Sequence, residues 1–427
     1  MKYNAAKKVN APQYAINAHR LHKGKLEMKG LVRVDGERAL ATYYTPGVAY
    51  PCIAIQKDQD LSFDYTIRGR SAAIVTDGTR ILGLGDIGPY AGMPVMEGKA
   101  LLLKKLAGVD AMPICLNSKN EDEIVNIVAS LEPTFSVINI EDIETPKCLR
   151  IVRRLSNQMQ IPIFHDDSIG VAVVTLAALR NALRLAGKKI KDVKIVINGA
   201  GAAGMGIASL LHNSGVENIY VVDSEGLIYE GRKNNMNAEK AEISKFVNKE
   251  KKKGGLEFIV KGADVLIGAS VKGAFTKEMI RQMAKKPIVF ALANPFSEID
   301  YIDAKSAGAF IVATGRSDRP NQVNNLLVFP GIIRGLLECR PKELNYAMLD
   351  AAAMAIEDFQ KHIDLEHIIP SPIQKRALEN LAPSVAAAVV KAANISNLAR
   401  VKCSPLLVYK QVKKDILRYN SIEHRIK

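Results

Sequence analysis

Lys194-Ile195-Val196-Ile197-Asn198-Gly199-Ala200-Gly201-Ala202-Ala203-Gly204-Met205-Gly206-Ile207 decides how the rest of the chain is read. A β-branched apolar run breaks into glycines spaced G-x-G-x-x-G and passes directly into an apolar helix start. A glycine-rich turn alone is often only tight packing. With a strand before it and a helix after it, the turn predicts a dinucleotide site: absent side chains let the backbone approach a pyrophosphate, which the helix N-terminus stabilises. Gly199, Gly201, Ala202, Ala203 and Gly204 are the expected contacts. The next apolar run, Asn218 to Val222, ends at Asp223, nineteen residues after Gly204. A carboxylate there accepts hydrogen bonds from the adenosine ribose hydroxyls, and Ser224 stands beside it, which favours NAD. A turn-forming acid at a strand end is the alternative for Asp223. No Arg or Lys follows immediately, so the 2'-phosphate of NADP lacks an obvious partner, Arg232 and Lys233 being the basic residues further along.

Working outward, Val193–Ile197, Asn218–Val222, Val265–Ala269, Ile288–Leu292 and Phe310–Ala313 are short β-branched runs separated by helix-like stretches, the pattern of a parallel sheet. The N-terminal part mixes short strands (Ser71–Thr76, Phe135–Ile140) with helical segments such as Glu121–Leu131, and from about Leu336 the chain is Ala- and Leu-rich. The expectation is an α/β fold in three parts. An N-terminal α/β substrate domain covers residues 1–160, a Rossmann-type parallel-sheet domain 161–335, and a helical C-terminal extension 336–427.

A chain of 427 residues exceeds one hydrophobic core, and 48% hydrophobic with 24% charged residues is the balance of a globular protein. Five scattered cysteines, none in a CxxC spacing, argue against a disulfide framework and a zinc site. Met1 to Arg20 lacks a continuous apolar stretch, so no signal peptide is read and a cytoplasmic address is expected. Ile195 to Val216 has no charged residue, but Asn198, His212, Asn213 and five glycines disqualify it as a membrane span. The net charge of +15 is dispersed. Lys249, Lys251, Lys252 and Lys253, and a looser group from Lys410 to Lys427, lack interleaved aromatics, so a solvated surface rather than a nucleic-acid partner is expected.

Two acidic pairs end apolar runs, Glu141-Asp142 and Asp166-Asp167. Each suits a hard cation such as Mg²⁺ or Mn²⁺, and equally a helix cap. Lys99, in Gly98-Lys99-Ala100, is either a snorkelling surface residue or a general base whose pKa a nearby cation lowers. Tyr44, before Thr45-Pro46-Gly47, is a half-buried turn aromatic or a proton donor.

Together these segments resemble the malic enzyme family, particularly its short prokaryotic-type branch. The resemblance rests on Tyr44-Thr-Pro-Gly-Val-Ala49, Leu82-Gly-Leu-Gly-Asp-Ile-Gly88, Met93-Pro-Val-Met-Glu-Gly-Lys-Ala100, Ile140-Glu-Asp-Ile143 and Phe164-His-Asp-Asp167. It continues through the glycine turn, Ala291-Leu-Ala-Asn-Pro295, Ser317 to Asn325 and Phe329-Pro-Gly331. It implies oxidative decarboxylation of L-malate to pyruvate and CO₂ by a homodimer using NAD(P) and Mg²⁺ or Mn²⁺. It further implies Glu141, Asp142 and Asp167 as metal ligands, Lys99 as the base for the C2 hydroxyl and Tyr44 as the acid that protonates C3. Asn294 and Asn325 match the amides that hold malate, Asn294 also bordering the cofactor, and Arg80 resembles the carboxylate-binding arginine of the longer branch. Two stretches depart from the family. Ser168-Ile169-Gly170-Val171-Ala172 stands where Gln, a polar residue and Gly-Thr-Ala are usual, and Phe296-Ser297 replaces a polar residue and proline. The first leaves cofactor preference open. The competing readings are an oxaloacetate decarboxylase or malolactic-like lyase on the same fold, and a non-catalytic basic nucleotide- or RNA-binding protein.

Overall fold

The computed structural model describes residues 11–22 and 24–423, so Met1 to Asn10, Lys23 and residues 424–427 lie outside the described residues. Two sheets organise it. The first joins β1 (Ser71–Thr76), β2 (Asp110–Cys115), β3 (Val137–Ile140) and β4 (Ile163–His165) in the order β2-β1-β3-β4, every pair parallel. Alternate side chains serve opposite faces. Ala73 and Val75 pack with the helices Glu121–Ser130 and Lys147–Gln158, while Ala72 and Ile74 pack with Met96 and Leu103 of the helix Gly88–Ala107. Covered on both sides, β1 is buried at every position, which is why it reads as an unbroken apolar run.

The second sheet contains β5 (Lys194–Asn198), β6 (Asn218–Asp223), β7 (Gly226–Leu227), β8 (Val265–Gly268), β9 (Ile288–Ala291) and β10 (Ile311–Thr314). Its order is β10-β9-β8-β5-β6-β7, parallel except for the short antiparallel β7 at the edge. In both sheets the chain leaves a central strand first to one side and then to the other, so each has a point where neighbouring loops diverge, the usual seat of a ligand in an open α/β sheet. The divergence lies between β1 and β3 in the first sheet and between β5 and β8 in the second.

One apolar core runs through both sheets by way of the helix Val171–Ala186, which is buried at twelve positions. Together with the turn before it, Asp166–Ala186 is the one segment among the described residues long and apolar enough to cross a membrane, with a mean hydropathy of 1.5. Most of it is inside the protein, as a core helix. Downstream, the helices Phe329–Cys339 and Lys375–Ile395 approach closely: a Cβ on Gly331 or Gly335 would lie 2.5 or 2.8 Å from the Cβ atoms of Val385 and Val389. Arg334 donates to the carbonyl of Ala107 (2.8 Å) and pairs with Asp415 (2.8 Å) and Glu338 (2.7 Å). That buried guanidinium ties the last helix, Pro405–Glu423, to the end of the helix carrying Lys99.

The N-terminal arm behaves differently. Its helices Glu37–Tyr43 and Ala49–Lys57 contain no buried residue among the described residues, although Tyr43, Tyr44, Val48, Tyr50 and Ile53 are all large and apolar.

Candidate functional site

Glu141 and Asp142 directly follow β3, and Asp166 and Asp167 follow β4, so the register of two neighbouring parallel strands brings the two acidic pairs together. One carboxylate oxygen from each of Glu141, Asp142 and Asp167 can be chosen so that all three lie within 4.8 Å of one another. The segment Asp166–Gly170 winds as a single π-turn before the helix Val171–Ala186, and this sends the adjacent aspartates different ways. Asp167 faces Asp142, whose backbone N–H donates to its Oδ2 at 3.0 Å. Asp166 faces Lys99, whose Nζ is 2.5 Å from Asp166 Oδ2 and 2.5 Å from Glu141 Oε2. Asp142 sits at φ +50°, an unfavourable conformation for a side-chain-bearing residue. It is held there by its bond to Asp167 and by the backbone N–H of Arg80, which donates to its carbonyl at 3.0 Å.

Lys99 and Glu141 are buried. Burial pulls the Lys99 ammonium toward neutrality, but Asp166 and Glu141 outweigh it and hold the amine above its ordinary range. The lowered pKa expected of Lys99 therefore does not hold for this set of charges alone. Burial pushes Glu141 up to about 8, with Lys99 opposing and the other aspartates assisting. Burial and Asp167 push Asp142 up to about 7. His165, fully buried in β4, is drawn toward neutrality by burial, yet Asp167 and Cys148 carry it to about 10. Its Nε2 lies 3.7 Å from Asp167 Oδ2. The carboxyls of Glu141, Asp142, Asp166 and Asp167 thus converge on two basic side chains, Lys99 and His165. Converging hard oxygens with uncompensated negative charge fit a divalent ion such as Mg²⁺ or Mn²⁺.

Asn325 Nδ2 donates to Asp166 Oδ2 at 3.2 Å, so this amide joins the Lys99 cluster. Asn294 follows β9, and the loop after β1 reaches it from the other sheet: a Cβ on Gly83 would meet Pro295 Cδ at 2.5 Å and the Asn294 carbonyl at 3.7 Å. Arg80 lies in that same loop with its guanidinium exposed, Nη1 3.3 Å from Thr145 Oγ1. Tyr44 is elsewhere. It ends an arm helix with 67% of its surface exposed, and the intrachain contacts of the Lys99 cluster do not include it.

The glycine turn stands at the carboxyl end of β5, where that sheet diverges. Gly199 has φ +116°, and a Cβ there would strike the Ala269 carbonyl at 2.2 Å. One on Gly204 would strike the Gly199 carbonyl at 1.9 Å. Nothing lies within 4 Å of the position a Cβ would take on Gly201, so the N-terminus of the helix Ala202–Asn213 is open to an approaching pyrophosphate. The two centres touch through Ser168, whose Oγ is 2.4 Å from where a Gly206 Cβ would be. Asp223 ends β6 as expected, but its carboxylate is already engaged by Arg232, Lys240 (2.8 Å) and Asn235 (3.3 Å). The expectation of a carboxylate open to ribose hydroxyls does not hold in this arrangement. Ser224 Oγ accepts from the same Asn235, at 3.3 Å.

Sequence reasoning missed Asp166 as the partner of Lys99 and His165 as the partner of Asp167. The doubled aspartate after an apolar run was the available signal. Which of the two turns toward the lysine depends on the π-turn, which has no sequence signature.

Comparison with known proteins bears on the whole of this arrangement. The family model described as malic enzyme, N-terminal domain, matches residues 22–156, and that described as malic enzyme, NAD binding domain, matches residues 169–394. The chain is 50% identical over 402 residues to the bifunctional malic/malolactic enzyme of Bacillus subtilis, covering 94% of this chain and 97% of that one. It is 46% identical over 379 residues to the NAD-dependent malic enzyme of Geobacillus stearothermophilus, covering 88% and 78%. The crystal structure of malic enzyme from Pyrococcus horikoshii matches with a TM-score of 0.92 at 40% identity, over 97% of this chain and 98% of that one. The two acidic pairs, the buried lysine and the glycine turn accordingly belong to an enzyme, and the chain is a member of the malic enzyme family.

Proposed function

We propose that the chain oxidises and decarboxylates L-malate to pyruvate and CO₂, reducing NAD(P) with the help of Mg²⁺ or Mn²⁺. The observation that carries this is the convergence of Glu141, Asp142 and Asp167 beside a lysine bridged to Asp166, one residue away from contact with the dinucleotide-turn helix. The dinucleotide supplies the hydride acceptor. The divalent ion supplies Lewis acidity toward the C2 oxygen and the developing enolate. Lys99 removes the C2 hydroxyl proton. With the charge of the carboxylates offset, burial is the influence left on its amine, and burial favours the neutral form a base needs. Asp166 and Asn325 fix where that amine points. Arg80 pairs with a malate carboxylate, Asn294 and Asn325 orient the substrate, and Tyr44 returns a proton to C3 once CO₂ has left.

Steady-state assays with malate, NAD or NADP, and Mn²⁺ test the reaction, the cofactor and the metal together. Pyruvate and reduced dinucleotide are expected in equal amounts, with both lost on chelation. The name of the Bacillus subtilis relative also includes a malolactic activity. Lactate formed without net dinucleotide reduction overturns the dehydrogenase reading in favour of a lyase. Salt-sensitive RNA binding without turnover overturns it in favour of a basic binding protein.

The functional unit is a homodimer. Tyr43, Tyr50 and Ile53 are 54%, 75% and 49% exposed on arm helices without a buried residue among those described, and large apolar side chains exposed together on one arm suit an interaction surface. A second copy covering this arm encloses Tyr44 as well. Elution at twice the chain mass is expected, and Tyr50→Asp combined with Ile53→Asp shifts the protein toward monomer with loss of turnover. A fully active monomer removes the dimer from the mechanism. The five cysteines are all unpaired, which supports a reducing, cytoplasmic setting.

A further inference from the structure

The carboxylate of Asp223 accepts five hydrogen bonds. Oδ1 receives Arg232 Nη1 (2.9 Å) and the backbone N–H of Glu225 (2.9 Å), and Oδ2 receives Arg232 Nη2, Lys240 Nζ (2.8 Å) and Asn235 Nδ2 (3.3 Å). An ionised carboxylate offers about four lone-pair sites, so none is left for a ribose hydroxyl. The cluster is also cationic as a whole. One carboxylate faces a guanidinium and an ammonium, and the side chains of Asp223, Arg232 and Lys240 are only 7%, 6% and 10% exposed, so solvent screens their charges weakly. Burial pulls the Asp223 carboxyl upward, yet Arg232 and Lys240 hold it below its ordinary range.

Arg232 is fixed rather than mobile. Besides Asp223 it donates to the Gly226 carbonyl (3.2 Å) in the β6–β7 hairpin and to the Asn235 carbonyl (3.3 Å), so it acts through its placed charge. It lines an open cavity of about 370 Å³ whose other charged residues are Lys233, Lys253 and Glu225. An acidic residue at the end of the second strand normally favours NAD by binding the ribose diol and repelling a 2'-phosphate. Here both effects are cancelled.

We infer that Arg232 and Lys240, by saturating Asp223 and reversing the sign of its surroundings, allow NADP to bind as well as NAD and set the ratio of the two affinities. This rests on the dinucleotide reading of the glycine turn. The role is one of charge placement. Arg232 is a specificity-determining residue that works on the 2'-phosphate and, through Asp223, on the ribose.

The test is direct binding of NADH and NADPH to the purified protein, read from ligand fluorescence at fixed ionic strength; the chain has no tryptophan to contribute background. Wild type is expected to bind the two with Kd values within about tenfold of each other. Arg232→Ala frees the Asp223 oxygens and removes a cation, so the ratio shifts toward NADH by about tenfold or more, and Arg232→Lys restores much of it. Asp223→Asn shifts the ratio the opposite way. Lys240→Met, which leaves the guanidinium in place, shifts it toward NADH and serves if Arg232→Ala fails to fold. A merely structural Arg232 would weaken both ligands together. That outcome, or a wild type that already rejects NADPH by more than about a hundredfold, overturns the inference. Failure of wild type to bind either nucleotide overturns the proposed function and the inference with it, whereas binding with an unmoved ratio overturns the inference alone.

Discussion

Lys99→Ala is expected to reduce malate oxidation by about a thousandfold or more, the scale of a lost general base in a buried site, while dinucleotide binding persists. Separation of the two effects follows from position. Lys99 lies on the helix Gly88–Ala107 against the first sheet, whereas the glycine turn proposed to hold the pyrophosphate is backbone at the end of β5 in the second. The substitution also removes one of two cations from a set of four carboxylates, and breaking a buried pair of this kind costs about 3 kcal/mol. Thermal stability of the metal-free variant should therefore fall, and Mn²⁺ should restore more stability to the variant than to wild type, because the ion then meets a larger uncompensated charge. Single-turnover hydride transfer, nucleotide titration and melting with and without Mn²⁺ read these three consequences. Turnover within tenfold of wild type removes Lys99 from the proton transfer. Equal stabilisation of both proteins by Mn²⁺ removes the metal from its neighbourhood.

Much of this layout was legible because it depends on local patterns. The parallel sheet around Gly199 follows from β-branched runs at short spacing, and the glycines follow from close approaches that only a missing Cβ permits: Gly204 against Gly199, Gly199 against Ala269. Strand limits moved only slightly. The run read from Phe135 is a strand from Val137, and Ser136 enters the sheet with its backbone N–H donating to the Ser71 carbonyl at 3.1 Å and its Oγ to the Arg68 carbonyl at 2.6 Å. What was not legible depends on directions fixed far away in the chain. Asp166 and Asp167 are adjacent and chemically identical. The inward one is selected by the π-turn and by Asn325, 159 residues downstream. Asp223 occupies its anticipated place, yet the sign of its surroundings is decided by Arg232 and Lys240, brought back by the turn after β7 and the helix Ala238–Ser244. Tyr44 ends an exposed arm helix, and the described residues of its own chain do not place it against Lys99, so no intrachain pattern bears on its proposed role.

Gly170→Ala probes the Asp166 bridge through a residue that itself carries no group for substrate. Gly170 has φ −60° and ψ −47°, an ordinary helical conformation, and in a helix alanine is usually preferred to glycine by about 0.5–1 kcal/mol. On backbone grounds alone the substitution is mildly stabilising. Space reverses that. A Cβ at 170 would lie 1.9 Å from Asp166 Oδ1, 3.0 Å from its Cγ and 3.5 Å from Asn325 Cγ. The carboxylate cannot simply rotate aside, because Oδ2 is held by Lys99 at 2.5 Å and by Asn325 at 3.2 Å, and Oδ1 is buried with no hydrogen-bond partner of its own. The least costly relief moves Asp166 away from Lys99 and leaves the amine aimed by Glu141 alone. A misplacement of about 1 Å is enough to lower kcat by about a hundredfold in a site that works by positioning. The KM for malate should change much less, and the nucleotide Kd hardly at all. A lower Tm is expected as well, since the loss of the buried Lys99–Asp166 pair outweighs the helix preference. Retention of wild-type kcat in a folded Gly170→Ala protein shows that Asp166 does not aim the lysine, while equal losses in kcat, nucleotide affinity and Tm show that the π-turn supports the fold rather than the chemistry.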